Sequence, residues 1–166
     1  MISTQEQVKV VPAGKGQAYW GPGNQLEFLV TGEETGGAFF MAVGLVLPGG
    51  GPPPHIHSRE DESFYLLEGT LSVQIGDKTL QASPGDFVYL PRGIAHTFRN
   101  TGKENARMLV TATPAGLENY FMEVFDPAVE GSGPPAFTET LIKRALVAAP
   151  KYGLELLLPA RKPGTV

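Results

Sequence analysis

Residues 49–69, GGGPPPHIHSREDESFYLLEG, hold two of the three histidines in this 166-residue chain, and those two histidines are separated by a single residue. Residues i and i+2 of a β-strand point to the same face, so the imidazoles of His55 and His57 can reach one ion. The polar segment 58–61 predicts a turn that brings Glu62 opposite the two histidines. The stretch therefore predicts a metal-binding β-structure.

The third histidine, His96, begins another predicted strand, in the segment PRGIAHTFRN. Turn residues recur every eight to twelve positions up to about residue 113, which indicates an all-β protein built as an antiparallel sandwich or barrel. A closed barrel can place the side chain of His96 beside His55, His57 and Glu62. The sequence thus supplies four candidate ligand side chains from three predicted strands.

The composition narrows the class of protein. The formal net charge is -4 with no basic stripe, which argues against a nucleic-acid partner, and the absence of cysteine excludes disulfides and thiolate metal sites. The N-terminal residues MISTQEQVKVVPAG contain no apolar leader, and the longest apolar run, AFFMAVGLVLP, is too short to span a membrane. We expect a cytoplasmic protein without a membrane partner.

Apolar residues at helical spacing follow the strand region. They predict one helix over 116–125 and a second over 138–149, with Thr138 as its N-cap, before a final strand in 153–159. We predict a single domain with three parts: residues 1–36 complete the barrel, 37–113 form the metal-binding core, and 114–166 form a helical lid and C-terminal segment.

The glycine and histidine spacing resembles two signatures of the cupin superfamily. The first is Gly49-x5-His55-x-His57-x4-Glu62-x6-Gly69, and the second runs from Gly85 through Pro91, Gly93 and His96 to Asn100. The resemblance implies a cupin-type β-jelly-roll barrel, followed by one or two short helices. It also implies one divalent transition metal (Fe, Mn, Ni, Co, Cu or Zn), held by His55, His57, Glu62 and His96.

The identity of the acidic ligand has one alternative, because the superfamily tolerates either of two spacings. Asp61 competes with Glu62 on this ground. We favour Glu62, since it opens the apolar strand ESFYLL, whereas Asp61 belongs to a solvated acidic turn.

The segment TPAGLENYF, residues 113–121, is similar to the segment after the last barrel strand of single-domain, quercetin 2,3-dioxygenase-like cupins. This resemblance implies a metal-dependent dioxygenase that acts with dioxygen on a flavonol-like or other enolisable or phenolic small molecule. Glu62 is then the predicted catalytic base. Two alternatives stay open: a metal-dependent isomerase or lyase, and a non-catalytic cupin that binds a small molecule or a metal.

Strand parity with the ligands gives a predicted substrate pocket, and the lid helix adds to it. One face of strand 37–48 must point into the cavity, and it carries either Phe39 with Met41 or Phe40 with Ala42. We include Phe39 and Met41 in the predicted pocket. Helix 116–125 either closes the cavity as a lid or packs on the outer surface of the barrel. The predicted lining is Phe39, Met41, Phe64, Leu66, Phe98, Tyr120 and Phe121.

We also expect a homodimer. The apolar segment LEFLV, residues 26–30, is suited to extend the sheet of a second copy.

Overall fold

A computed structural model describes residues 8–158, and its regular elements are mostly strands. The strands are β1 (Gln17–Gly21), β2 (Asn24–Val30), β3 (Phe40–Val46), β4 (His55–His57), β5 (Asp61–Glu68), β6 (Leu71–Ile75), β7 (Lys78–Ala82), β8 (Phe87–Leu90), β9 (His96–Asn100), β10 (Ala106–Thr113), β11 (Asp126–Pro127) and β12 (Leu154–Leu156). The helices are α1 (Leu117–Val124) and α2 (Glu139–Ala148), and a short 3₁₀ turn, Ala149–Tyr152, follows α2.

The strands form two antiparallel sheets. The order in the first is β11-β1-β2-β3-β10-β5-β8, and the order in the second is β12-β4-β9-β6-β7. Alternate residues along the strands are buried between the sheets, as in β3 and β9, so the inner faces supply one shared core. The predicted all-β class is confirmed, and the two-sheet arrangement is that of a jelly roll.

The turn after β4 does not form a hairpin. β4 belongs to the five-stranded sheet and β5 to the seven-stranded sheet, so residues 58–60 carry the chain from one sheet to the other. The consequence for the candidate site is that Glu62 faces the histidines across the interior of the protein.

The apolar segment 26–30 lies inside a sheet. β2 pairs with β1 on one side and with β3 on the other, so its backbone hydrogen bonds are already made within the chain. The predicted route to a dimer through this segment is therefore wrong, because an interior strand has no free edge to offer a partner. The homodimer itself stays a prediction.

Both predicted helices are present within one residue of their expected ends. Thr138 caps α2, since its hydroxyl oxygen accepts a hydrogen bond from the Leu141 backbone N–H at 3.2 Å. α1 follows β10 closely and buries Leu117, Tyr120 and Val124. No helix within residues 8–158 has the length and apolar character needed to cross a membrane.

A buried carboxylate fixes α1 to the body of the protein. Glu118 is 3% exposed. Its two oxygens accept hydrogen bonds from the backbone N–H groups of Gly32, at 2.8 Å, and Gly116, at 2.7 Å. The first bond ties the helix to the loop after β2, and the second closes the turn that begins the helix. Glu118 therefore holds α1 in place at both of these points.

We expect Glu118→Ala to lower the free energy of unfolding by about 2 to 4 kcal/mol, because it leaves two N–H groups without their charged acceptor. Urea unfolding of the metal-free protein measures this change. Glu123→Ala is the matched control on the same helix: its carboxylate contacts Lys151 and Tyr152 at the surface, and its loss should cost less than about 1 kcal/mol. Equal effects of the two substitutions would contradict the assigned role of Glu118.

Candidate metal centre

The three histidines lie together on the inner face of the five-stranded sheet. His55 and His57 occupy alternate positions of β4, and both are buried. β4 pairs with β9 through the register His55↔His96, which places the third imidazole beside the first. Glu62 lies near the start of β5 in the opposite sheet and points across the interior toward them.

The structure brings the four predicted ligands into one buried cluster. Each of His55, His57, Glu62 and His96 offers a nitrogen or oxygen atom, and these atoms all lie within 4.8 Å of one another. Glu62 Oε2 is 3.1 Å from His96 Nε2 and 3.5 Å from His57 Nε2. Three imidazoles and a carboxylate gathered at this spacing match the nitrogen and oxygen ligand set that divalent transition metals prefer.

Hydrogen bonds orient two of the imidazoles for this purpose. His55 Nδ1 donates to the carbonyl oxygen of Pro53 at 2.8 Å, and His96 Nδ1 donates to that of Ile94 at 3.1 Å. A carbonyl oxygen can only accept, so each Nδ1 carries a proton and each Nε2 is left to face the cluster. Within residues 8–158 neither ring nitrogen of His57 has a hydrogen-bond partner. Unpaired buried nitrogens of this kind fit a bound ion.

The electrostatics of the cluster suit a cation. Burial lowers the pKa of His55 to about 4, so this ring is neutral at neutral pH. Burial alone would raise the pKa of Glu62, but its contacts with His57 and His96 outweigh that effect and hold the pKa well below its usual range. Burial acts to lower the pKa of His96, yet the hydrogen bond with the Glu62 carboxylate prevails and raises it. The Glu62 carboxylate is thus ionised, and its negative charge can offset part of the charge of a bound cation.

Asp61 takes no part in the cluster. Its carboxylate accepts hydrogen bonds from the backbone N–H and the guanidinium of Arg92, at 2.9 to 3.0 Å. These bonds direct Asp61 toward the surface, while Glu62 on the next position of β5 points inward. The geometry therefore favours Glu62 as the acidic ligand.

A cavity of about 140 Å³ opens from the cluster. His55, His57 and Glu62 form part of its wall, and most of the rest of the wall is apolar. The main apolar contributors come from the sheets and from both helices, and they are Leu26, Val46, Phe98, Met108, Val110, Tyr120, Phe121, Val124, Leu141, Ile142 and Ala145. Both helices thus contribute to the wall of the cavity.

Five of the seven predicted pocket residues point toward the interior, and they fall into two groups. Phe98, Tyr120 and Phe121 line the cavity. Phe64 and Leu66 have the predicted inward orientation, but they are buried deeper in the core and lie outside the lining of this cavity. Phe64 contacts Phe98 edge-on, with ring centroids 5.7 Å apart, and so supports a lining residue from behind.

The assignment of Phe39 and Met41 to the pocket is wrong. Phe40 and Ala42 are fully buried between the sheets, whereas Phe39 and Met41 are half-buried on the other side of the strand. The segment AFFMAV is apolar at every position, so both of its faces looked suited to the interior.

One buried acid beside the cluster, Glu60, is not predicted by the sequence pattern. Glu60 is 2% exposed, and burial raises the pKa of its carboxyl group. Its Oε2 has no hydrogen-bond partner in the described part of the chain and lies 4.0 Å from His57 Nδ1. The polar run SRED gave no sign of this, because all four of its residues suit an exposed turn.

Two antiparallel sheets around a buried cluster of three histidines and one carboxylate define a jelly-roll protein with a site that fits a metal. Residues 42–112 match the family model described as "Cupin domain". Residues 42–112 are thus a cupin domain.

Relatives within this family have different activities. A quercetin 2,3-dioxygenase of Bacillus subtilis is 28% identical over 106 residues, which are 63% of this chain and 31% of the relative. The polyketide synthase CurC of Streptomyces cyaneus is 31% identical over 93 residues, covering 55% of this chain and 60% of the relative. This chain thus aligns with about a third to three fifths of the length of these curated relatives.

A solved structure with a similar fold is that of the polyketide cyclase RemF from Streptomyces resistomycificus. It superposes with a TM-score of 0.57 at 27% identity, over 64% of this chain and 80% of RemF.

Proposed function

We propose that this cupin is a metal-dependent dioxygenase of enolisable or phenolic small molecules. The observation that carries the proposal is the buried cluster of three histidines and one carboxylate at the wall of an apolar, aromatic-lined cavity. The similarity to a quercetin 2,3-dioxygenase supports this reaction class.

His55, His57, Glu62 and His96 would hold the metal. A divalent transition ion at this position would supply a Lewis acid for a substrate oxygen and an electronic route for the reaction with dioxygen. Three neutral imidazoles and one carboxylate leave a site with such an ion at a net charge near +1, which favours an anionic enolate or phenolate.

The side chains around the cluster would position the substrate and protect it. The apolar wall excludes water, and the aromatic rings of Phe98, Tyr120 and Phe121 offer flat surfaces to a planar substrate. Glu62 would accept the proton of the enol or phenol, because a carboxylate that binds an ion through one oxygen keeps a second oxygen as an acceptor.

The size of the cavity favours a small substrate. Its volume of about 140 Å³ is close to that of an engineered apolar cavity of about 150 Å³ that binds benzene. A single-ring phenol or cyclic diketone therefore fits this volume, whereas a three-ring flavonol would extend beyond it. We accordingly place one-ring enolisable compounds ahead of flavonols in the substrate class.

Oxygen consumption by the metal-loaded protein tests this function. We expect uptake of dioxygen in proportion to substrate loss with at least one single-ring phenol or cyclic diketone, and slower uptake with quercetin. His96→Ala protein treated with the same metal serves as the control for activity of free ions. Substrate loss without oxygen uptake in the parent protein, or no loss at all across the panel, would overturn the dioxygenase assignment.

A non-oxidative reaction is the second candidate, and the similarity to CurC and RemF favours it. The same ion would then act only as a Lewis acid, as in a metal-dependent isomerase or lyase. Substrate loss that is equal with and without dioxygen would identify this function. Binding without turnover would identify a non-catalytic cupin.

A further inference from the structure

The three histidines of the metal centre differ in how their outer nitrogens are held. His55 and His96 each donate from Nδ1 to a backbone carbonyl two residues earlier in the chain, at 2.8 and 3.1 Å. The described residues offer His57 Nδ1 no hydrogen bond of this or any other kind. The backbone thus orients two of the rings and leaves the third without support.

A metal-bound histidine needs such support. When one ring nitrogen binds an ion, the other carries the proton, and its donation to an acceptor fixes the tautomer and the direction of the ring. His57 Nε2 is the nitrogen that faces Glu62, at 3.5 Å, so His57 Nδ1 is the nitrogen that must find an acceptor outside the cluster.

Glu60 is placed to be that acceptor. Its Oε2 lies 4.0 Å from His57 Nδ1, which is about 1 Å beyond hydrogen-bond length and within reach of a small side-chain rotation. Both side chains are 3% exposed, and neither atom has another partner within the described residues. A buried carboxylate oxygen and a buried imidazole nitrogen that both lack partners each gain from the same hydrogen bond.

Glu60 also lies outside the substrate cavity. It is not among the residues that line the cavity, whereas His57 and Glu62 are. Glu60 therefore does not face a bound substrate, and His57 is the metal-centre residue that it lies beside.

We propose that Glu60 is a positioning residue that accepts a hydrogen bond from the Nδ1–H of His57 and so orients this imidazole for metal binding through Nε2. The inference rests on the metal centre of the proposed function, but it does not depend on the reaction or the substrate. The carboxylate also makes the ring a stronger ligand, because it withdraws the Nδ1 proton partway.

Zinc affinity tests the proposal without oxygen or substrate. Competition with a chromophoric chelator gives the dissociation constant of Zn²⁺ for the parent, Glu60→Ala, Glu60→Gln and Asp61→Asn. We expect Glu60→Ala to weaken zinc binding roughly 10- to 100-fold, the effect typical of losing such a partner. The zinc affinity of Glu60→Gln should fall between those of Glu60→Ala and the parent, since its amide oxygen still accepts a hydrogen bond but carries no charge.

Asp61→Asn is the matched control. It removes the same charge from the adjacent residue, whose carboxylate pairs with Arg92 outside the cluster. We expect its zinc affinity to stay within about twofold of the parent, since its carboxylate does not touch the imidazoles.

Nitrogen-detected NMR of the zinc-loaded protein provides the readout that a purely structural role would not change. The chain has three histidines, so their ring signals can be assigned by substitution. In the parent, His57 should show a protonated Nδ1 and a metal-bound Nε2, and in Glu60→Ala its Nδ1 proton should exchange faster while those of His55 and His96 stay unchanged.

Three outcomes would overturn the proposal. The first is zinc affinity of Glu60→Ala equal to that of Asp61→Asn. The second is reduced stability of the metal-free Glu60→Ala protein with unchanged affinity and unchanged His57 signals. The third outcome applies if Glu60→Ala does not fold, in which case the isosteric Glu60→Gln variant is measured instead. Zinc affinity and His57 signals equal to those of the parent in Glu60→Gln would then overturn the proposal. A parent that fails to bind zinc would remove the metal centre itself, whereas a parent that binds zinc but consumes no oxygen would remove only the dioxygenase function.

Discussion

The His96→Ala protein is expected to fold and to lose most of its metal. His96 is 2% exposed and supplies one of the four clustered ligand atoms, so its removal leaves three ligands and an open side to the site. We expect the affinity for a divalent transition ion to fall roughly 100-fold or more, beyond the 10- to 100-fold typical of losing an outer partner. Elemental analysis after dialysis measures the occupancy directly. His55→Ala and His57→Ala should behave in the same way.

Thr97→Ala provides the control for this substitution. Thr97 is the next residue of β9, and its hydroxyl donates to the carbonyl of Pro52 outside the cluster. It should keep parent-like occupancy. The jelly-roll core should survive in both variants, because its apolar residues pack without the ion. Full occupancy in His96→Ala would show that the cluster is not the metal site.

Glu62→Gln should lower turnover far more than it lowers occupancy. Glutamine keeps one carbonyl oxygen for the metal but cannot act as a base at ordinary pH. General base catalysis typically contributes about 10²- to 10⁴-fold, so we expect turnover per bound metal to fall by at least about 100-fold. The comparison requires turnover and metal content to be measured on the same samples, with the substrate found by oxygen uptake.

The base role of Glu62 has a clear alternative, in which the residue is only a ligand and the substrate ionises in solution. In that case turnover per bound metal in Glu62→Gln would stay within a few-fold of the parent, which is about 1 kcal/mol of barrier. Asp61→Asn, which removes the neighbouring charge from outside the cluster, controls for a general electrostatic effect. Turnover that falls equally in both variants would also argue against a specific base.

The ligands were predictable because motif spacing and strand parity are both local. His55 and His57 share a face for the reason that any two alternate strand residues do, and the signature spacing then identifies Glu62 and His96. The two helices were predictable within one residue for a similar reason. Apolar spacing and the Thr138 cap act over short stretches of chain.

Other features depend on contacts that strand parity does not report. Parity gives the face on which a side chain lies but not its depth, so Phe64 points inward as predicted and yet lies outside the cavity lining. The prediction that Phe39 and Met41 line the pocket was wrong because an unbroken apolar run has no alternation of polar and apolar residues to distinguish its two faces. Glu60 was missed because its burial results from the crossing between the two sheets, which a polar turn sequence does not reveal.

Because the ligands are divided between the two sheets, a bound ion stabilises the folded state against global unfolding. Three ligands lie in the five-stranded sheet and Glu62 lies in the other, so an ion bound by all four acts as a crosslink that global unfolding must break. At a free ion concentration 100 times the dissociation constant, such binding adds about 2.7 kcal/mol to the stability of the folded state. For a chain of this size that raises the melting temperature by about 5 to 10 °C. Melting curves in a series of metal ions would therefore rank their affinities before any substrate is known.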